Sequence, residues 1–422
     1  MKIAYENIFS GLMMLLVFSL AFIFPFLFIF EQRIPVTDFI FLFVFIFWSI
    51  GILLKKIEIK FHFFFVILAF YLLSIFISVI FSANPKSSFI KFSGEIYLVF
   101  LTVITFNFIN TLEDAKKLTL AWLSGTMFVL LIGFATILLF YFDPKNSLLN
   151  IFLNHYGTVP VGNYPRIKAT FFHSNMLCNY LSVSLFLTLT AWQSGWINAL
   201  FSKFLIGFIL LISLFTFSPG LGGIALSLGV FFWLFYKSNE KNLLSKASLF
   251  CGIFVSIVFL GLLIFAMQKH PTAPYEIKIP VIEKEIYPSS RVMVWSATMD
   301  TFKNNFWTGI GLGEDVCRVR YLNPSGVLED LRDGHNTVLN VSAQTGILGL
   351  ISILAIIFYL MKKILKFKNM YSKSGFFYNC GGIAILSAFI YQGLGGSFEE
   401  TRHIWVLFGM FLSAEKLTEI EI

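Results

Sequence analysis

Long, unbroken apolar runs separated by short polar stretches set the pattern of this chain along its length. A helix crossing the hydrocarbon core of a bilayer needs about 20 apolar residues. Runs of that kind lie at residues 8–30, 36–54, 61–82, 95–110, 117–142, 171–193, 203–217, 220–236, 247–267, 336–361, 375–394 and 402–416. The pattern predicts an all-α, polytopic membrane protein with about twelve transmembrane helices. Because the runs are continuous rather than alternating, a transmembrane barrel is excluded. The first run is too long for the apolar core of a cleaved leader and lacks a small-x-small exit, so it reads as an uncleaved span.

Two polar segments are long enough to carry structure of their own, 143–170 and 268–335. Loops beyond about 12–15 residues are usually functional or disordered. The chain therefore divides into three parts. Residues 1–267 hold the first nine spans and the segment 143–170; residues 268–335 form one large loop between spans nine and ten; residues 336–422 hold the last three spans. Inside the large loop, Ser289 or Ser290 is placed to cap a helix with Arg291 in its first turn. Val292, Trp295, Met299, Phe302 and Phe306 then recur at helical spacing, which predicts an amphipathic helix at the membrane surface.

Composition sharpens the class. Hydrophobic residues make up 57% of the chain and charged ones 13%, against about 45–50% and about 25% in a soluble domain. A soluble enzyme, a disordered chain and a disulfide-stapled domain are ruled out. Cys178, Cys251, Cys317 and Cys380 have no Cys-x-x-Cys spacing, so neither a zinc site nor a disulfide framework is expected. The net charge of +8 would suit nucleic acid in a soluble protein; in a chain this apolar the basic residues belong to loops and membrane surface, and no nucleic-acid partner is expected.

The distribution of charge says more than its sum. With a cytoplasmic N-terminus, the inner loops hold Lys55, Lys56, Lys60, Lys116, Lys117, Lys203, Lys237, Lys241, Lys246, Lys362, Lys363, Lys366, Lys368 and Lys373. This lysine excess predicts that both termini are cytoplasmic. All seven arginines (Arg33, Arg166, Arg291, Arg318, Arg320, Arg332, Arg402) fall on the outer face. Guanidinium is the group suited to bidentate recognition of phosphate or carboxylate. No charged residue falls in the central part of any predicted span, which argues against an ion-coupled carrier and places any chemistry at the outer surface.

Three outer stretches concentrate that chemistry. Arg166 and Lys168 precede the sixth span, with His173 and Asn175 in its first turn. Arg291 opens the loop helix, where helix-end N–H groups and a guanidinium converge on one anion or, alternatively, a snorkelling arginine sits at the interface. Gly309-Ile310-Gly311-Leu312-Gly313 breaks that helix and lacks the strand and Lys-Ser/Thr setting of a nucleotide loop. The turn Asp333-Gly334 then holds His335 at the outer boundary, with Asn336 placed to cap the next span. An imidazole is a natural proton acceptor near neutral pH. Asn336, Asn340 and Gln344 continue as a polar stripe beneath it. Cys317 has no base placed beside it and reads as inert.

Together these stretches resemble the O-antigen ligase/O-antigen polymerase superfamily of bacterial envelope glycosyltransferases. The matching residues are Arg166-Ile-Lys-Ala-Thr-Phe-Phe-His-Ser-Asn175, Arg291-Val-Met-Val-Trp295, Asn304-Asn-Phe-Trp-Thr-Gly-Ile-Gly-Leu-Gly313, His335-Asn336 and Gly346-Ile-Leu-Gly-Leu350. The resemblance implies an inverting, metal-independent enzyme of the bacterial inner membrane with no cofactor. It would move a glycan from undecaprenyl pyrophosphate to an acceptor at the periplasmic face, lipid A-core in the ligase branch. Carried onto this sequence, Arg291 and Arg166 would bind the pyrophosphate and His335 would accept the acceptor's proton. Lys168, Asn175, Asn336, Arg318, Arg320 and Arg402 are further candidates for substrate binding. One departure stands out: many members carry Ser-Arg-Gly where this chain has Ser218-Pro219-Gly220. That leaves open a repeat-unit polymerase or protein O-oligosaccharyltransferase of the same fold; the non-enzymatic alternative is a polysaccharide transporter.

Overall fold

The apolar runs fold as helices in the computed structural model, which describes residues 2–29, 32–154, 165–218, 220–267, 277–279, 284–286, 290–322, 328–395 and 401–420. In chain order these are α1 (Lys2–Ser19), α2 (Val36–Leu53), α3 (Phe64–Ile80), α4 (Pro85–Phe108), α5 (Leu112–Phe142), α6 (Leu149–Phe152) and α7 (Ser174–Gln193). There follow α8 (Ala199–Thr216), α9 (Gly220–Ser238), α10 (Asn242–Met267), α11 (Ser290–Asn304), α12 (Thr337–Ile364), α13 (Lys373–Gly395) and α14 (Arg402–Ile420). Among the described residues six of them, α2, α4, α5, α8, α9 and α12, are long and apolar enough to cross a membrane. The chain is a polytopic, predominantly α-helical membrane protein.

Among the described residues three antiparallel hairpins interrupt the helical pattern: β1 (Pro25–Ile29) with β2 (Gln32–Pro35), β3 (Ile277–Ile279) with β4 (Lys284–Ile286), and β5 (Val319–Leu322) with β6 (Leu328–Leu331). The first of these corrects the reading of 8–30 as one span. Helix α1 ends at Ser19, and Pro25, which cannot extend a helix, starts a strand instead.

The helices begin where local chemistry lets them. Thr111 and Asp114 make a reciprocal capping box at α5. Asn84 caps α4, with Pro85 in its first turn. That cap starts α4 ten residues before its apolar run and puts Glu95 near the middle of the helix, which overturns the expectation that no charge lies in the central part of a span. Glu95 is buried within α4, and the Tyr71 hydroxyl of α3 donates to its carboxylate at 3.0 Å. A polar group at such depth is tolerated only with a partner.

Helix α13 packs on α7, α9, α12 and α14; α12 also lies along α3, α14 along α4, and α1 along α5. The contacts separate two ends of the bundle. At one end Arg402 of α14 pairs with Asp38 of α2, and Thr170 bonds the carbonyl of Ala21. At the other, Lys363 of α12 pairs with Glu415 of α14, while Lys60 and Lys416 converge on Asn110. The segments bearing the sequence motifs gather at the first of these ends.

One helix is broken there. Gly346 has φ 67° inside α12, so the helix runs as 337–345 and 347–364 with a kink between. The carbonyls freed by the kink are taken by the loop following α11: Ile310 N–H donates to Ala343 at 3.1 Å and Gly311 N–H to Gln344 at 3.0 Å. On the far side of the kink, Ile347 N–H donates to Phe306 at 2.8 Å. The Ser88 hydroxyl of α4 donates to Leu312 at 2.8 Å, wedging the same loop against α4.

Candidate active site

The glycine-rich stretch 309–313 is thus a backbone dock rather than an anion cradle, and it fixes α11 over the mouth of α12. A small core closes the arrangement: Val294 and Phe302 of α11 pack with Val316, Cys317, Val319 and Ala343. The buried face of α11 runs through Val294, Thr298 and Phe302. This differs from the predicted stripe, which joined Trp295 and Met299. Met299 of α11 stays exposed, as do Phe306 and Trp307 just after its end. Helix α11 begins at Ser290, so Arg291 does stand in its first turn; its side chain lies outside the described residues.

Below α11, Asn336 caps α12 by accepting from Leu339 N–H at 3.1 Å. His335 immediately precedes it, half-buried, with φ 48°. The polar stripe foreseen beneath His335 is spent on structure. Asn340 bonds back to the 333–334 turn, and Gln344 reaches the Glu314 carbonyl at 3.5 Å. These contacts were not legible from the four-residue spacing alone.

The second cationic stretch is pinned just as firmly. Ile167 N–H donates to Phe215 at the end of α8, and Lys168 N–H to Phe152 of α6. Ile167, Ala169 and Phe171 are fully buried, so alternate residues anchor the segment while Arg166 and Lys168 stay half-exposed. Arg166 uses Nε to donate to the Thr216 carbonyl at 3.1 Å and Nη2 to donate to Asn175 Oδ1 at 2.8 Å. Its contact at Thr216 is two residues along the chain from Ser218. Burial alone holds the Lys168 ammonium below the ordinary lysine range, and no acidic partner for it occurs among the described residues. A partly desolvated cation of this kind gains from an anionic ligand. His173 occupies the N-cap position of α7 and is exposed.

Four further arginines are engaged with acids. Arg332 pairs with Asp330 at 3.1 Å and Asp315 at 3.2 Å, Arg318 with Asp315 and Arg320 with Asp330, both at 3.9 Å, all around β5 and β6. Arg402 makes a bidentate pair with Asp38 and lies over the Tyr97 ring. The charges of Arg318, Arg320 and Arg402 are thus met by carboxylates. Cys317 is buried, and its thiol is pushed up by that burial and by Asp333, Asp315 and Asp330 nearby, which opposes thiolate chemistry.

A polytopic helical membrane protein carrying a docked cap, a turn-borne histidine and a half-buried cationic stretch defines the class. Residues 204–354, from α8 to the lower part of α12, match the O-antigen ligase family model. The matched segment includes Arg291, the 309–313 dock, His335 and Gly346, and stops short of Arg166. No curated protein matches the chain.

Proposed function

We propose that this chain is an O-antigen ligase-type glycosyltransferase that moves a glycan from undecaprenyl pyrophosphate to a hydroxyl of lipid A-core. The observation that carries the reading is the O-antigen ligase match over 204–354, with His335 held at the start of α12 under the helix that bears Arg291. The acceptor hydroxyl gives its proton to the His335 imidazole, and its oxygen forms the new bond at the anomeric carbon. The bond from that carbon to the pyrophosphate oxygen breaks, with inversion, and the electron pair leaves on undecaprenyl pyrophosphate. Arg291, Arg166 and Lys168 stabilise the charge that gathers there, so no metal is required. Asn175 orients Arg166, and Asn336 fixes the start of α12.

In this reading the twelve long helices all cross the bacterial inner membrane, residues 1–267, 268–335 and 336–422 form the three parts, and both termini are cytoplasmic. The arginine-bearing end faces the periplasm, as the lysine-rich opposite end favours. A repeat-unit polymerase is the second reading, favoured by Pro219 in place of an arginine. A strain deleted for the gene distinguishes the two. Loss of all glycan from lipid A-core, with polymer still present on the lipid carrier, is expected; single repeats still ligated to the core would identify a polymerase instead.

A further inference from the structure

The turn that carries His335 is held by a closed set of hydrogen bonds. Asp333 Oδ1 accepts from the His335 backbone N–H at 2.6 Å and from Asn340 Nδ2 at 2.7 Å. Asn340 Oδ1 accepts from Gly334 N–H at 2.8 Å. Asn340 and Gly334 are buried, so the bond between them forms away from competing water, and the two to Asp333 are partly shielded. His335 itself is in the left-handed region at φ 48°. A non-glycine residue there costs about 1–2 kcal/mol and persists only where its surroundings over-determine it. The Asp333–Asn340 pair supplies that constraint. Gly334 leaves it room: a Cβ there would come within 2.4 Å of Asn340 Oδ1 and 3.0 Å of Thr298 Oγ1. Through Thr298 the same turn touches α11, the helix that presents Arg291.

We infer that Asp333 and Asn340 are positioning residues that fix the imidazole of His335 for proton transfer and set its place relative to α11. The inference rests on the reading of His335 as the base. Its chemistry is specific about which atoms matter. Asp333 only accepts, through one oxygen, and an amide oxygen could accept the same two bonds. Asn340 must donate and accept at once. Asn340→Asp therefore sets two carboxylates against each other, whereas Asp333→Asn keeps an acceptor oxygen for both donors.

Glycan transfer by the purified full-length protein in lipid nanodiscs, with undecaprenyl-pyrophosphate-linked glycan as donor and lipid A-core as acceptor, tests this. Misplacing a reacting group by about 1 Å costs on the order of 10²-fold, so Asn340→Asp is expected to lower kcat by about that factor with donor KM nearly unchanged. Asp333→Asn, which keeps the acceptor oxygen, should stay near wild type. Should Asn340→Asp fail to fold, Asp333→Ala takes its place, with the same kcat loss expected. His335→Ala is measured alongside. If it is inactive while Asn340→Asp and Asp333→Ala keep wild-type kcat, the positioning role is overturned and the base reading survives. If His335→Ala is fully active, the base reading falls, and this inference with it.

Discussion

His335→Ala is expected to lower kcat for glycan transfer by about 10²–10⁴-fold, the span that a positioned general base contributes. The expectation comes from placement. The residue stands between a hydrogen-bonded turn and a capped helix, half-buried, at the end of the bundle where the cationic segments gather. Donor KM should change little, because the pyrophosphate contacts assigned to Arg291, Arg166 and Lys168 do not involve the imidazole. The substitution removes no contact that supports the turn, since the clamp holds the backbone N–H of this residue and not its ring. A kcat loss with intact donor binding is the signature; a variant with undiminished kcat would remove His335 from the mechanism.

The second large effect is expected at the dock. Gly309 has φ 69°, and a Cβ there would lie 2.2 Å from both the carbonyl carbon and the oxygen of Gln344. Both neighbours are backbone, so no side chain can swing aside. Left-handed alanine costs about 1–2 kcal/mol, and overpacking typically adds about 1–3 kcal/mol. Gly309→Ala should therefore release the cap from α12, exposing the Ile310 and Gly311 amides to hydrogen exchange and abolishing transfer. Gly207→Ala serves as the control, because a Cβ on that α8 residue meets nothing within 4 Å. Equal exchange protection of the Gly309 variant and the control would contradict the proposed dock.

Much of the architecture was readable because it is local. Apolar runs mark the long helices, and Asn336 caps the helix that its place before an apolar run predicts. Arg291 in a first helical turn and His335 just before a cap were likewise local readings. What escaped depends on distant pairing. Asp38 and Arg402 are 364 residues apart, and nothing near either announces the pair. Gly346 looks like one more small residue in an apolar helix; its break matters only because 306–311 supplies the missing bonds. Glu95 fell at the margin of its run until Asn84 and Pro85 moved the helix start outward. The second cationic stretch was visible, yet its place at the end of α8 arises from the Arg166–Thr216 contact across 50 residues.

The central claim is transfer from a lipid pyrophosphate to a lipid acceptor. It is tested most directly by the purified protein in proteoliposomes with undecaprenyl-pyrophosphate-linked glycan, lipid A-core and a metal chelator. The account predicts glycan joined to lipid A-core and an equal amount of undecaprenyl pyrophosphate released. Donor glycans that lengthen while lipid A-core stays unmodified, or no transfer at all, would contradict it.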